Sequence, residues 1–128
     1  MGRLAVVVLS TALLAGSAKA QAPSGLDRID ALQQQSAARQ RAINLARDTA
    51  VRLNGGLSRY VPEACMFASG GRGGSCLVRS SSKGFLFRFK GGAPGWQQLG
   101  LPASTHSEIL ISADGRQVLE VLLNEPLR

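Results

Sequence analysis

The chain is poor in the residues that carry most enzyme chemistry. Its 128 residues hold one histidine, two cysteines, one tryptophan, one tyrosine and eight acidic side chains. A nucleophilic site would have to be assembled around His106, with Ser104, Thr105 or Ser107 as nucleophile and Glu108 or Asp114 as the orienting acid. Neighbours along a strand point to opposite faces, and no G-x-S-x-G turn is present, so His106 reads as an ordinary residue at the start of a strand. The carboxylates, scattered from Asp27 to Glu125, show no paired spacing for acid/base work; Glu108 and Glu120 fit a solvated strand face. Cys65 and Cys76 are not a C-x-x-C pair, which sets redox catalysis aside, and no histidine lies near them to complete a metal site. The loop Ser69-Gly70-Gly71-Arg72-Gly73-Gly74-Ser75 is rich in glycine but lacks the Lys-Ser/Thr of a P-loop and its βα context. No cofactor is implied, and no catalytic residue is assigned.

What the N-terminus does hold is an export pattern. Arg3 supplies a basic start, Leu4 to Gly16 is apolar apart from Ser10 and Thr11, and Ala18-Lys19-Ala20 is a small-x-small cleavage site. Residues 1–20 therefore read as a secretory signal peptide, with Gln21 first in the mature chain and no stable membrane span after cleavage. No cysteine near residue 20 offers a lipid attachment site, and no glutamate follows Gly2-Arg3-Leu4 as a type IV prepilin would require. The expected location is the periplasm or the cell exterior. An oxidising compartment suits the cysteines, whose glycine-rich connection brings two short strand-like pieces together and makes a Cys65–Cys76 disulfide geometrically easy. A closure this short stabilises by roughly 2–4 kcal/mol in the chain-entropy account.

The formal net charge is +7, and it stays about +5 once Arg3 and Lys19 leave with the signal segment. Such a surplus favours anionic partners, whether lipid headgroups, acidic glycans or nucleic acid. The basic residues are nonetheless dispersed: Arg39, Arg41, Arg47 and Arg52 along one helix, Arg88 and Lys90 on one strand face. That dispersion fits a soluble surface. Export, and the lack of any basic motif interleaved with aromatics, weigh against nucleic acid.

The mature chain predicts one long helix followed by strands. Ser24 with Asp27 three residues on forms a capping-box start, and Asn54-Gly55-Gly56, able to take positive φ, marks the stop. Between them Gly25–Leu53 would run about 43 Å at about 1.5 Å per residue. Ala42, Leu45, Ala46, Thr49, Ala50 and Leu53 fall in one arc with Ile43 at its edge, opposite Gln40, Arg41, Asn44, Arg47, Asp48 and Arg52. Leu26 and Ile29 point away from that arc, and Gln33-Gln34-Gln35-Ser36 interrupts the apolar pattern. Only the second half is expected to pack, so residues 21–41 read as an exposed segment and 42–128 as one compact domain. The first half is either a frayed extension or an arm that contacts another copy or a partner.

Phe85, Phe87 and Phe89 alternate, so a strand over Gly84–Lys90 puts three rings on one face and Leu86, Arg88 and Lys90 on the other. Small residues on the helix would let its axis approach those rings. Pro62 confines Leu57–Phe67 to an edge or bent strand. Cys76–Arg79 is a short strand and Ser80–Gly84 a turn; Gly91–Gly95 reads as a loop, with Trp96 folding back over the sheet edge. Asp114-Gly115 between Glu108–Ser112 and Gln117–Leu123 is a hairpin signal, with Leu119, Val121 and Leu123 on one face and Val118, Glu120 and Leu122 on the other. The fold class expected is α+β: one helix laid on four or five antiparallel strands, similar in architecture to the globular part of pilins.

At the level of the mature chain, Ala46-Arg47 … Asn54-Gly55-Gly56-Leu57-Ser58-x-Tyr60, Gly84-Phe85-x-Phe87-x-Phe89-x-Gly91-Gly92-x-Pro94-Gly95-Trp96 and Ser112-x-Asp114-Gly115-Arg116 together resemble short exported proteins of unknown function found in cyanobacterial genomes. That resemblance covers most of residues 37–124 and implies a periplasmic or secreted location with no recognised cofactor. The function expected is a non-enzymatic binding or structural module, with an envelope protein or an anionic surface as partner. Its candidate contact surfaces are Leu26 and Ile29, the Arg72 loop, and the Arg88/Lys90 face. The alternative is a small hydrolase or a secreted enzyme inhibitor, with Arg72 entering a trypsin-like protease. Glycine flexibility in that loop opposes the inhibitor reading, because an unordered loop loses entropy on binding.

Overall fold

The computed structural model describes residues 24–69 and 74–127, together with Gly2, residues 15–17 and Ala22. Most of the expected signal segment, and Arg72 with the centre of its loop, lie outside the described residues. Helix α1 spans Gly25–Leu53. The Ser24 hydroxyl accepts the Asp27 N–H while Asp27 takes the Ser24 N–H, closing the capping box. At the other end the Gly56 N–H reaches the Val51 carbonyl at 2.9 Å and the Gly55 N–H that of Arg52, a Schellman arrangement. Only the two glycines take positive φ; Asn54 stays at φ −107° and uses its amide to bond the Ala50 carbonyl instead.

Five strands follow in one antiparallel sheet: β1 (Val61–Pro62), β2 (Leu77–Ser81), β3 (Gly84–Gly92), β4 (Thr105–Ile111) and β5 (Val118–Pro126). β3 is central. One of its edges pairs along its length with β4, which pairs in turn with β5. The other edge is shared end to end by β2, opposite Gly84–Phe87, and β1, opposite Gly91 and Gly92. A 3₁₀ turn, Ala64–Phe67, leaves β1 and carries Cys65 toward Cys76, to which it is disulfide-bonded with the Cα atoms 5.7 Å apart.

α1 lies across the face that carries Phe85, Phe87 and Phe89, all buried. The same face takes Ile109 and Ile111 from β4, and these rings and branched chains meet Ala38, Ala42, Ala46 and Ala50 in one core. Methyl-sized side chains on the helix let its axis approach a layer of large ones, the complementarity that close packing requires. Two details of the helix arc differ from expectation. Ile43 is fully buried rather than marginal, and Leu53, the last residue of the helix before the turn at Asn54, is exposed.

Four strand assignments also change. Phe67 belongs to the 3₁₀ turn, so β1 keeps only two residues. The β2–β3 turn is reduced to Ser82-Lys83. Gly91 and Gly92 continue β3, because the missing side chains are replaced by rings from elsewhere: a Cβ at Gly91 would fall 2.2 Å from Tyr60 Cε2, and one at Gly92 would fall 2.9 Å from Trp96 Cγ. Trp96 does fold over that edge, its indole N–H donating to the Val61 carbonyl at 2.9 Å. In β5, register shifts pass over Leu119 and Leu122, so Val121 pairs with Ile109 while Leu123 pairs with Glu108. Directly opposed residues share a face. Leu119, Val121 and Leu123 therefore do not form one apolar row.

Candidate functional site

The β4–β5 hairpin determines which part of α1 is free. At its tip Gly115 has φ 75° and passes so close to the helix that a Cβ there would lie 2.3 Å from the Ala38 carbonyl oxygen. Beside it the Arg41 guanidinium donates two hydrogen bonds to the Asp114 carbonyl, at 3.1 and 2.8 Å. The Asp114 carboxylate accepts the Ser112 hydroxyl and the Arg116 N–H, and these bonds hold it below the usual carboxylate range. At the base of the hairpin Asn54 and Asn124 exchange side-chain hydrogen bonds, and the Ser107 hydroxyl donates to Asn124 at 2.9 Å. Tyr60 is buried in the same region, and desolvation raises its phenol above the ordinary value of 10.0, with the Ser107 side chain pulling the other way. Among the described residues its hydroxyl has no hydrogen-bond partner, and Ser107 is a polar neighbour.

Beyond that contact no strand among the described residues packs under the helix. Every residue from Gly25 to Ala37 is exposed except Ser36, which is half-buried. Leu26 is 75% exposed, Ile29 51% and Leu32 62%. Leu26 and Ile29, expected as contact residues, thus lie on a projecting helical arm. Leu32 extends their stripe; its spacing of three from Ile29 was the signal for it. The Asp27 carboxylate sits below its ordinary value of 3.8, chiefly through the Ser24 hydroxyl, so the arm begins with a charged, satisfied cap.

Arg88 and Lys90 lie together on the sheet face away from the helix, as expected, and both are exposed. Arg88 is not free: it forms a 2.9 Å ion pair with Glu108 across β3 and β4. Lys90 stands opposite His106, and His106 opposite Glu125 in turn. Histidine and carboxylate are therefore cross-strand neighbours, while Ser107 faces the helix on the other side. Two surface concavities lie elsewhere among the described residues, and His106 lines neither.

One of those concavities was not foreseen. A groove of about 550 Å³ between the last turns of α1 and the 3₁₀ turn is lined by Arg47, Asp48, Val51, Arg52, Leu57 and Phe67. Arg47 lies over the Phe67 ring, 5.2 Å from its centroid, and pairs with Asp48 at 3.1 Å. Glu63 was likewise missed. It precedes Cys65 by two residues, and the 3₁₀ turn folds its carboxylate against the disulfide, so that its oxygen and both sulfurs lie within 4.8 Å of one another.

No helix among the described residues is long and apolar enough to cross a membrane. Compared with protein-family models, with curated proteins and with solved structures, the chain matches none.

Proposed function

We propose that the protein is an exported, non-enzymatic binding module of the periplasm or cell exterior, and that the arm of α1 is its contact element. One observation carries the reading: Leu26, Ile29 and Leu32 stand in water on a helix whose start is fully capped. An isolated helix segment of this length is marginal without a packing partner. An apolar stripe presented by a helix fits a groove of a second protein, and the envelope is where an exported chain would meet it. The Cys65–Cys76 disulfide is compatible with that compartment.

The arm is expected to exchange its amide hydrogens quickly in the isolated protein and slowly when native envelope protein is added. Leu26→Glu/Ile29→Glu should abolish the added protection. Strong protection of residues 24–36 in the dilute monomer would end this reading. N-terminal sequencing of the exported chain should begin at Gln21.

The competing reading, a small hydrolase or enzyme inhibitor, gains one observation, the His106–Glu125 neighbourhood on the exposed sheet face. An ester or peptide hydrolysis that disappears in His106→Ala would establish the first form. Inhibition of a trypsin-like protease that disappears in Arg72→Ala would establish the second.

A further inference from the structure

We propose that Glu63, Cys65 and Cys76 form a redox-gated site for a thiophilic divalent cation, with Zn²⁺ the representative ion. Oxidised, the two sulfurs are bonded to each other and offer no thiolate. Reduced, they supply two, and the Glu63 carboxylate supplies a third ligand from the same side. Structural and catalytic zinc sites use S, N and O donors at about 2.0–2.3 Å, which places tetrahedral ligands about 3.4–3.8 Å apart. Three donor atoms already within 4.8 Å of one another can reach that spacing by side-chain rotation alone.

Ligand placement does not depend on the disulfide. The Glu63 N–H donates to the Lys90 carbonyl at 2.9 Å, and the Lys90 N–H donates to Glu63 Oε1 at 2.7 Å. Across the gap between β1 and β2, the Arg88 N–H donates to the Cys76 carbonyl at 2.9 Å. Both ligand-bearing segments are therefore tied to the edge of β3 by bonds that survive reduction, and a site held this way needs little reorganisation to bind. The Lys90 N–H also orients the carboxylate, leaving Oε2 for the ion, which is the role outer hydrogen bonds play at metal sites. Cys76 is buried while Glu63 and Cys65 are half-exposed, and a water would complete a four-coordinate site.

Opening the site requires two electrons and two protons per disulfide. A dithiol reductant supplies both: its two sulfurs end joined to each other, and Cys65 and Cys76 end as thiols. Zn²⁺ then displaces the two thiol protons, so affinity rises with pH. The bound ion in turn keeps the sulfurs apart and opposes re-oxidation. The inference stands independently of the binding role assigned to α1.

The test uses the full exported chain, reduced without oxygen by a phosphine that does not bind zinc. Zn²⁺ affinity is read by competition with a chromophoric chelator, and Co²⁺ is used as a spectroscopic probe. One ion per chain, with a thiolate-to-Co²⁺ charge-transfer band and tetrahedral d–d bands, is expected for the reduced protein and neither for the oxidised one. Cys65→Ser/Cys76→Ser should abolish binding. Glu63→Gln keeps an acceptor for Lys90 but removes the charge, and should weaken binding about 10- to 100-fold, the scale seen for losses around metal sites. Circular dichroism of each variant separates loss of a ligand from loss of fold. Reduced protein that binds no better than the double serine variant, or a folded Glu63→Gln protein that binds as tightly as the parent, overturns the proposal.

Discussion

From Gly25 to Ala37 the side chains of α1 lie in water but for a half-buried Ser36, whereas from Ala38 to Ala50 six of thirteen are buried. The backbone geometry is the same in both halves. What differs is the support underneath, because the β4–β5 hairpin ends at Gly115, directly below Ala38. The packed half uses alanines, which suit a close approach to phenylalanine rings. The free half carries leucine and isoleucine, which suit a partner that comes to it. A helix can thus be one element in geometry and two in energetics, with the boundary determined by the reach of a hairpin elsewhere in the chain.

The contrast is broken most severely from below. Phe87→Ala removes the centre of the layer under the packed half and should destabilise by about 3–5 kcal/mol in thermal or denaturant unfolding, since a truncated core ring leaves a cavity. Gly115→Ala puts a side chain at a left-handed φ and against the Ala38 carbonyl, so the hairpin tip must lift. Strain of that kind costs about 1–3 kcal/mol, and hydrogen exchange should show Ala38 to Ala42 opening with it. Ala46→Leu overpacks the close approach and is expected to cost about 1–3 kcal/mol. Identical leucines placed in the free half would cost nothing measurable.

Smaller effects sharpen the other side. Ser24→Ala removes the cap and should reduce the stability of the arm by about 1 kcal/mol, visible as lost helical signal with an unchanged melting midpoint for the domain. Acid should act in the same place. Asp27 is lowered in the folded chain from its ordinary 3.8, so its contribution is present above that pH and fades as pH falls through the folded value. Fraying of residues 24–30 below about pH 4, followed by NMR, checks it. Leu26→Ala and Ile29→Ala should leave stability within about 0.5 kcal/mol, as surface substitutions do, while weakening partner binding.

Much of this architecture is written locally. Ser24 with Asp27, Asn54 with two glycines, the alternating phenylalanines and Asp114-Gly115 each act over a few residues, and the helix, central strand and hairpin follow from them. The remainder depends on residues far apart in sequence. Gly91 and Gly92 look like a loop until Tyr60 and Trp96 cover them. The register shifts at Leu119 and Leu122 belong to the pairing with β4 and carry no mark in the sequence of β5 itself. Leu26 and Ile29 were legible as exposed because the glutamines break the pattern beside them. Glu63 was not legible as a neighbour of Cys76, since a 3₁₀ turn and the shared edge of β3 bring the two together.

The unequal borders of the sheet have a consequence for assembly. β1 and β2 divide one border into pieces of two and five residues, with a proline in the shorter, while β5 runs for nine residues on the other but carries two register shifts against β4 and ends in Pro126. Short pieces on one side, and shifts with a terminal proline on the other, are the devices by which open sheets discourage a further strand from joining at either border.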